Sequence, residues 1–533
     1  MTASIEKTVA ALSRLKSDWQ AAVLLVLLAA VFVFRFFLSE WANLIPDECS
    51  YWAWSRQLDW SYFDNSGMVA YLIRLSTELL DRHTPFSVRL PFLVLSALNT
   101  YLVYRISFLL FRNRFHALVS AVAFNLTPAF LLGGSAAMHD NSLMFFWMVA
   151  LWAAARFIRS GQTDWFYVMG AAAGLSIQSK YTGVLLLPSL FIFLLLTKRY
   201  RGELLTRKPW LGALIAAGLA LPIILWNIEH DWASLHHIFY IGSGSVSVDR
   251  RILDGLGYHG AQLALVSPLI YIAMAVATAS ALFSSWKNPK PEYTVLLVFG
   301  LPVVLFGLLA FRGHVEANWA FMGYPSILIL SIEIISRGRA AASHRVWRWF
   351  GPRFQKWAMI FVVVPVAVVL LHAWIGILPA SLEARLGKAD RIVWETWGWD
   401  DLGKHVGSLI TPNDVIAADS YQLCALLEFN IPGNPKVRYL APWNRPTQFD
   451  IWNPSFDDLT ARHILYVSTR PLQPSSSILT TVFENFSKVE PLPVYRVMYH
   501  GVAIRDIYLY VGHDFNPVTP RRLGPRSLRY TDY

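Results

Sequence analysis

Charge is scarce in this chain. Only 15% of its 533 residues are Asp, Glu, Lys or Arg, against about 25% in an ordinary soluble domain. With 55% hydrophobic residues and 14% aromatics, that shortage excludes a disordered chain, a coiled coil and a plain soluble enzyme. Cysteine is nearly absent: Cys49 and Cys424 are too few for a disulfide framework. No glycine-rich phosphate loop ending in Lys and a hydroxyl residue occurs, and no dinucleotide fingerprint opens a helix, so ATP or a nucleotide sugar has no support as a substrate. Nor does the first apolar run end in a small-x-small cleavage pattern, as a removable leader would.

What is present is length and apolar runs. Residues 20–38 form a run of 19, about 28 Å as a helix and close to one hydrocarbon core. Further runs at 88–111, 117–133, 141–158, 165–179, 182–197, 210–227, 263–283, 293–311, 319–335 and 358–379 predict about eleven spans. The excess of 46 Lys and Arg over 35 Asp and Glu then has a topological explanation. With the N-terminus cytoplasmic, the short cytoplasmic segments hold 19 Lys and Arg and the other side 7, as the positive-inside rule requires. Residues 336–357 carry six of them. After residue 379 the pattern changes to short apolar strands (DVIAADS, KVRYL, HILYVST, AIRDIYLYV) between helical stretches and turns, which predicts a small α/β domain outside the membrane over 380–514. Residues 515–533 read as a basic tail without structure.

The first outside connection, 39–87, is dense in aromatics, which suits a membrane interface. Met68 to Leu80 predicts an amphipathic interfacial helix with Met68, Leu72, Leu75, Leu79 and Ile73 at helical spacing. The connection opens on Asp47 and Glu48. An acid pair at the mouth of a span is costly unless it faces a wet cavity, where a carboxylate serves as general base toward a hydroxyl. His139 and Asp140 occupy the next outside connection. Asp140 taken alone reads as a cap for a helix starting at Asn141. Lys180, His230, Arg312 and His314 add cations and imidazoles to the same face, as a lipid-linked phosphate would need. The expectation is that the first two outside connections bring their acids to one water-filled pocket. No local metal-ligand spacing is present, so the metal is left unknown.

On these residues the sequence resembles the bacterial branch of the dolichyl-phosphate-mannose protein mannosyltransferase superfamily, which includes aminoarabinose and lipid A/core galacturonosyl transferases. The resemblance runs from Pro46-Asp47-Glu48-Cys49-Ser50-Tyr51-Trp52 and Leu58-Asp59-Trp60-Ser61-Tyr62-Phe63-Asp64 through His139-Asp140, Ser179-Lys180-Tyr181, Glu229-His230-Asp231-Trp232 and Glu316-Ala317-Asn318-Trp319. It continues to Asp419-Ser420-Tyr421 and Gln448-Phe449-Asp450. It implies a polytopic α-helical GT-C membrane protein, with 1–379 as the transferase domain. The implied reaction takes a sugar from a polyprenyl phosphate to a lipid or glycan acceptor at the outer face of the bacterial inner membrane, lipid A or lipopolysaccharide core foremost, with no nucleic acid involved. Asp47, Glu48 and Asp140 are the implied catalytic acids. Lys180, His230 and Arg312 would contact the lipid phosphate, and Tyr51, Asp64, His139 and His314 the substrates. No cofactor is named by the resemblance, which leaves a divalent metal open. One departure stands out: relatives carry His-Pro-Pro or Glu-Lys-Pro motifs where this chain has Asn65-Ser66-Gly67 after Asp64. A transporter or flippase of lipid-linked sugars, or a noncatalytic assembly subunit, are the competing readings.

Overall fold

The computed structural model describes residues 2–242, 248–287, 289–340, 345–411, 414–440, 446–453, 455–460, 462–471 and 482–516. The basic tail, apart from its first two residues, lies outside the described residues. The chain divides into two compact units: a helical unit of Met1–Leu38, Arg89–Pro222 and Gly244–Val366, and a mixed unit of Ser39–Val88, Ile223–Ser243 and Ala367–Tyr533.

The fold is a polytopic helical membrane protein with a sheet-containing C-terminal region. Among the described residues, seven helices are long and apolar enough to cross a bilayer: Trp19–Trp41, Pro85–Phe111, His139–Ser160, Arg207–Glu229, Pro291–Leu309, Ala317–Ala340 and Pro352–Ile375. The other expected runs are broken or shorter than these seven. The run at 263–283 straddles a break: one helix ends at Val266, the next starts at Pro268, and the two meet at 108°. Ser267 between them takes φ +85°, and the proline that follows disfavours helical backbone at that position. Counted as one span, this bent pair makes eight. The run at 117–133 divides, because Pro128 starts a new helix after Leu126, a break hydropathy alone does not register. The runs at 165–179 and 182–197 form the short helices Trp165–Ser179 and Tyr181–Leu196 on either side of an extended Lys180.

Within the helical unit, close approach depends on small residues. A Cβ on Gly170 would meet the Gly212 carbonyl oxygen at 2.1 Å, and one on Gly174 would meet Ala216 backbone. The helices Trp165–Ser179 and Arg207–Glu229 therefore touch backbone to backbone, the packing that membrane helices use in place of a hydrophobic drive. The Trp147 indole N–H donates to Phe299 O at 3.1 Å. Arg35, buried on the first helix, is satisfied by Ser96 and by the carbonyls of Phe130 and Leu131, as a cation in a span must be.

The mixed unit holds a six-stranded sheet: β1 (Val415–Ala418), β2 (Val437–Tyr439), β3 (Ile464–Ser468), β4 (Lys488–Pro491), β5 (Tyr495–Tyr499) and β6 (Val502–His513). The order is β2-β1-β3-β6-β4, with β5 also on β6. β1 is parallel to β2 and β3, with Ile416 opposite Val437 and Leu465, and β6 runs antiparallel to β3, pairing Tyr510 with Tyr466. The helix Tyr421–Asn430 makes the crossover from β1 to β2, its N-terminus capped by Ser420 Oγ accepting from Leu423 N. The four expected strands are all present. Ala417, Ile464, Tyr466 and Tyr510 form the core beneath them.

The first connection packs within this same unit. Its expected helix is found, Met68–Leu80, but the buried face is Val69, Ala70, Ile73 and Ser76. Leu75 and Leu79 stay 65% and 77% exposed, so the leucine stripe is the outward one. The aromatics are also largely inside rather than at an interface. Trp52 packs edge-on against Phe429 at 5.1 Å, Trp54 stacks on Tyr62 at 4.3 Å, and Phe63 is buried, while Trp41 and Trp60 are exposed.

Candidate active site

In the mixed unit, the residues that begin the first connection form a helix, Pro46–Arg56, after an extended Ile45. Proline suits the first helical position, and acids suit the first turn, where the macrodipole is positive. Glu48 turns back to accept from Ile45 N at 3.1 Å, which gives it a capping task. Asp47, one position earlier, points elsewhere. Among the described residues its carboxylate has no hydrogen bond or ion pair. Burial pushes its pKa up to about 6, reinforced by Glu395 and Asp64, opposed by Arg391, and reinforced again by Glu48. Desolvation of an unpaired carboxylate acts in this direction.

The turn around Asp64 is fixed by its neighbours. Asp64 Oδ1 lies 3.3 Å from His237 Nε2, Phe63 N donates to Gln448 Oε1 at 2.8 Å, and Ser234 Oγ donates to Tyr62 O at 3.0 Å. The Trp226 indole donates to Asp59 Oδ2 at 2.9 Å. His230 lies flat on Trp226, ring centres 4.0 Å apart, with Nδ1 2.8 Å from Trp226 O. Tyr51 meets Trp54 edge-on at 5.1 Å. Thus Asp47, Glu48 and Asp64 lie in one charged neighbourhood with Arg391 and Glu395. His237, Arg391 and Glu395 were not singled out from sequence. His237 sits in a His-His pair beyond the Trp226–Trp232 motif, the one available signal.

In the helical unit, the helix that was expected to start at Asn141 starts at His139, with Met138 as its cap. Asp140 is therefore no N-cap. Its Oδ1 receives Lys180 Nζ at 2.8 Å and its Oδ2 receives Asn318 Nδ2 at 2.8 Å. His139 Nδ1 lies 3.0 Å from Ser179 O, so both residues of the dipeptide engage the Ser179-Lys180 turn. Asn318 belongs to the Glu316-Ala317-Asn318-Trp319 segment, yet its side chain was not among the candidates. Gln262 supports that segment, donating to Ala317 O at 2.8 Å and accepting from Tyr324 OH at 2.7 Å. His314 is exposed and pairs with Glu316 at 2.9 Å, outside this network. Arg312 is exposed as well. The preceding residue, Phe311, lines a cleft of about 840 Å³ with His259, Tyr271, Met274, Val303 and Tyr324.

Comparison with known proteins agrees with this architecture. The model of the family described as dolichyl-phosphate-mannose-protein mannosyltransferase matches residues 64–226, a stretch holding Asp64, Asp140 and Lys180 but not Asp47. The lipid A galacturonosyltransferase RgtD of Rhizobium johnstonii is 28% identical over 295 residues, 55% of this chain and 61% of that one. An undecaprenyl phosphate-alpha-4-amino-4-deoxy-L-arabinose arabinosyl transferase of Pectobacterium carotovorum is 27% identical over 289 residues, 50% of each. The matches thus span about half to three fifths of these relatives' lengths. Among solved structures, ArnT from Cupriavidus metallidurans bound to undecaprenyl phosphate superposes with a TM-score of 0.58 at 16% identity, over 91% of this chain and 97% of that one. The resemblance read from the motifs along the chain stands, and the fold is that of the ArnT structure.

Proposed function

We propose that this chain is a glycosyltransferase that moves a sugar from a polyprenyl-phosphate carrier to a hydroxyl or phosphate oxygen of a lipid or glycan acceptor, lipid A or lipopolysaccharide core foremost. The observation that carries the reading is Asp47: a partly buried carboxylate with no hydrogen bond or ion pair among the described residues, its pKa pushed up to about 6. At neutral pH such a group is mostly ionised yet more basic than an ordinary carboxylate, which suits a general base. Asp47 takes the acceptor's proton as the acceptor oxygen bonds the anomeric carbon. The bond from that carbon to the carrier phosphate breaks, and the phosphate leaves with the electron pair. One displacement of this kind inverts the anomeric centre.

Glu48 is the positioning residue for Asp47, because it closes the helix N-terminus beside it. Lys180, aimed by Asp140, and Arg312 are the groups we assign to the departing phosphate, whose developing charge fixed cations would stabilise. The apolar cleft that Phe311 lines suits the first isoprene units, since Arg312 follows directly. His230 is held against Trp226 and takes a supporting phosphate contact. Tyr51, Asp64, His139 and His314 remain substrate-side assignments. The names of the relatives support the carrier and the acceptor class: one acts on lipid A, and ArnT was solved with undecaprenyl phosphate. The Lys and Arg asymmetry supports a multi-pass inner-membrane protein with its N-terminus cytoplasmic and residues 380–514 periplasmic.

The test is transfer by the purified protein in detergent, with polyprenyl-phosphate sugars as donors and lipid A as acceptor, read by mass spectrometry. Turnover without a membrane gradient is the expected result, and it excludes transport as the sole activity. Asp47→Asn should elute as folded protein with transfer abolished; transfer near the wild-type rate would remove Asp47 from the mechanism. Mass spectrometry of lipid A and core from a deletion strain identifies sugar and acceptor.

A further inference from the structure

Three metal-ligating side chains, none of them assigned a role above, meet in the mixed unit. His372 is near the end of the helix Pro352–Ile375, Glu383 lies on the short helix Ala380–Leu386, and Asp390 caps the helix Arg391–Thr396. Their ligand atoms all lie within 4.8 Å of one another. Asp390 Oδ2 is 2.5 Å from His372 Nε2, and Glu383 Oε1 is 3.9 Å from the same nitrogen. His372 and Glu383 are 6% and 4% exposed.

An ion pair accounts for only part of this cluster. His372 and Asp390 could close on each other, but a second buried carboxylate then faces the same imidazole nitrogen. Among the described residues, Glu383 Oε2 and His372 Nδ1 are buried without a hydrogen-bond partner. Two carboxylates against one imidazole leave net negative charge in a place sheltered from water, and such a charge is costly unless a cation neutralises it.

We propose that His372, Glu383 and Asp390 form a divalent-cation site, zinc by its donor set, that joins the end of the last long apolar helix to the segments leading into the sheet. Zinc takes imidazole nitrogen at about 2.0 Å and carboxylate oxygen at about 2.0–2.2 Å, so tetrahedral ligand atoms stand roughly 3.3 Å apart. The two separations above lie on either side of that value, each within about 1 Å of it. The surroundings already behave as a fixed frame. Tyr499 OH on β5 donates to His372 O at 2.6 Å, and Asp390 Oδ1 accepts from Ile392 N and Val393 N. Asp390 thereby orients the short helix that presents Arg391 and Glu395, two of the charges that set the ionisation of Asp47. A metal here is structural and takes no part in bond-making; the proposal does not depend on which reaction the protein performs.

The experiment uses the full chain in detergent, with any affinity tag removed. The protein is stripped with a chelator and dialysed against zinc, and its metal content is measured by elemental mass spectrometry. Wild type should retain zinc, and its thermal midpoint should rise on reloading. His372→Ala and Glu383→Gln should each lose about one equivalent of zinc per chain together with that rise. Glu383→Gln keeps the shape of the side chain, so it reports even if His372→Ala misfolds. Wild type that binds no zinc overturns the proposal. So does zinc that both variants retain at wild-type stoichiometry, since the ion would then sit elsewhere.

Discussion

Lys180 Nζ sits 2.8 Å from Asp140 Oδ1, with only 10% of each side chain exposed. Breaking a buried pair from one side leaves the other charge uncompensated, at a cost of about 3–5 kcal/mol. Asp140→Ala should therefore lower the thermal midpoint in detergent sharply, and Asp140→Ala with Lys180→Ala should recover a good part of it. Sugar transfer should stay lost in the double variant if Lys180 contacts the phosphate. A double variant no more stable than the single one would mean that the pair is not coupled.

Asp47 gives a pH signature with a defined sign. Its pKa in the folded protein is raised to about 6 from an ordinary 3.8, so the folded state holds the proton more tightly than the unfolded one. Stability then falls as pH rises from about 4 to 6 and stays reduced above that, by roughly 1–3 kcal/mol. Asp47→Asn should match or exceed wild-type stability at pH 7.5 while losing transfer, and its advantage should shrink toward pH 4. In wild type the transfer rate should fall as pH drops through about 6. Thermal melts and rates across this range measure both.

The contact between Asp59 and the Trp226 indole joins positions 167 residues apart. Trp226→Phe removes the donor along with part of a fully buried ring system and leaves the half-buried Asp59 carboxylate without that bond, a loss of about 1–3 kcal/mol. The expected readout is faster proteolysis in 57–67 with little change elsewhere, followed by limited digestion and mass spectrometry.

Gly170 tests the helix contact. Gly170→Ala places a methyl against the Gly212 carbonyl and should reduce folded yield and thermal midpoint. Gly218→Ala on the facing helix meets nothing within 4 Å and should be neutral in the same assay.

Much of this molecule can be read from local pattern. The strands of the sheet are short runs of β-branched and aromatic residues bounded by turns, and four of them lie where that pattern puts them. The helix Met68–Leu80 has both ends where periodicity sets them, but its buried face is the one with Val69 and Ile73. Leu75 and Leu79 stay exposed, and tertiary packing buries the side that carries the smaller residues. Breaks at Pro128 and Ser267 divide two runs that hydropathy treats as continuous, whereas the break at Lys180 is legible as a gap between runs. At the candidate site, acids beside span ends drew notice because desolvating them is expensive. Their partners are legible only in three dimensions. Asn318 is 178 residues from Asp140, and Glu395 is far in sequence from Asp47. No spacing rule connects such positions, and neutral polar side chains like Asn318 carry no cost that would mark them.

The seat of Trp52 against Phe429 has a bearing on biosynthesis. The two rings are separated by 377 positions, so at about 5–20 residues per second the ribosome needs roughly 20–75 s to deliver the second after the first. Through that interval the helix Pro46–Arg56 has left the exit tunnel without the surface that covers its indole. Holding this early segment in a competent state until the late one arrives is a task for the insertion machinery and its chaperones, and any stop codon before Phe429 makes the wait permanent.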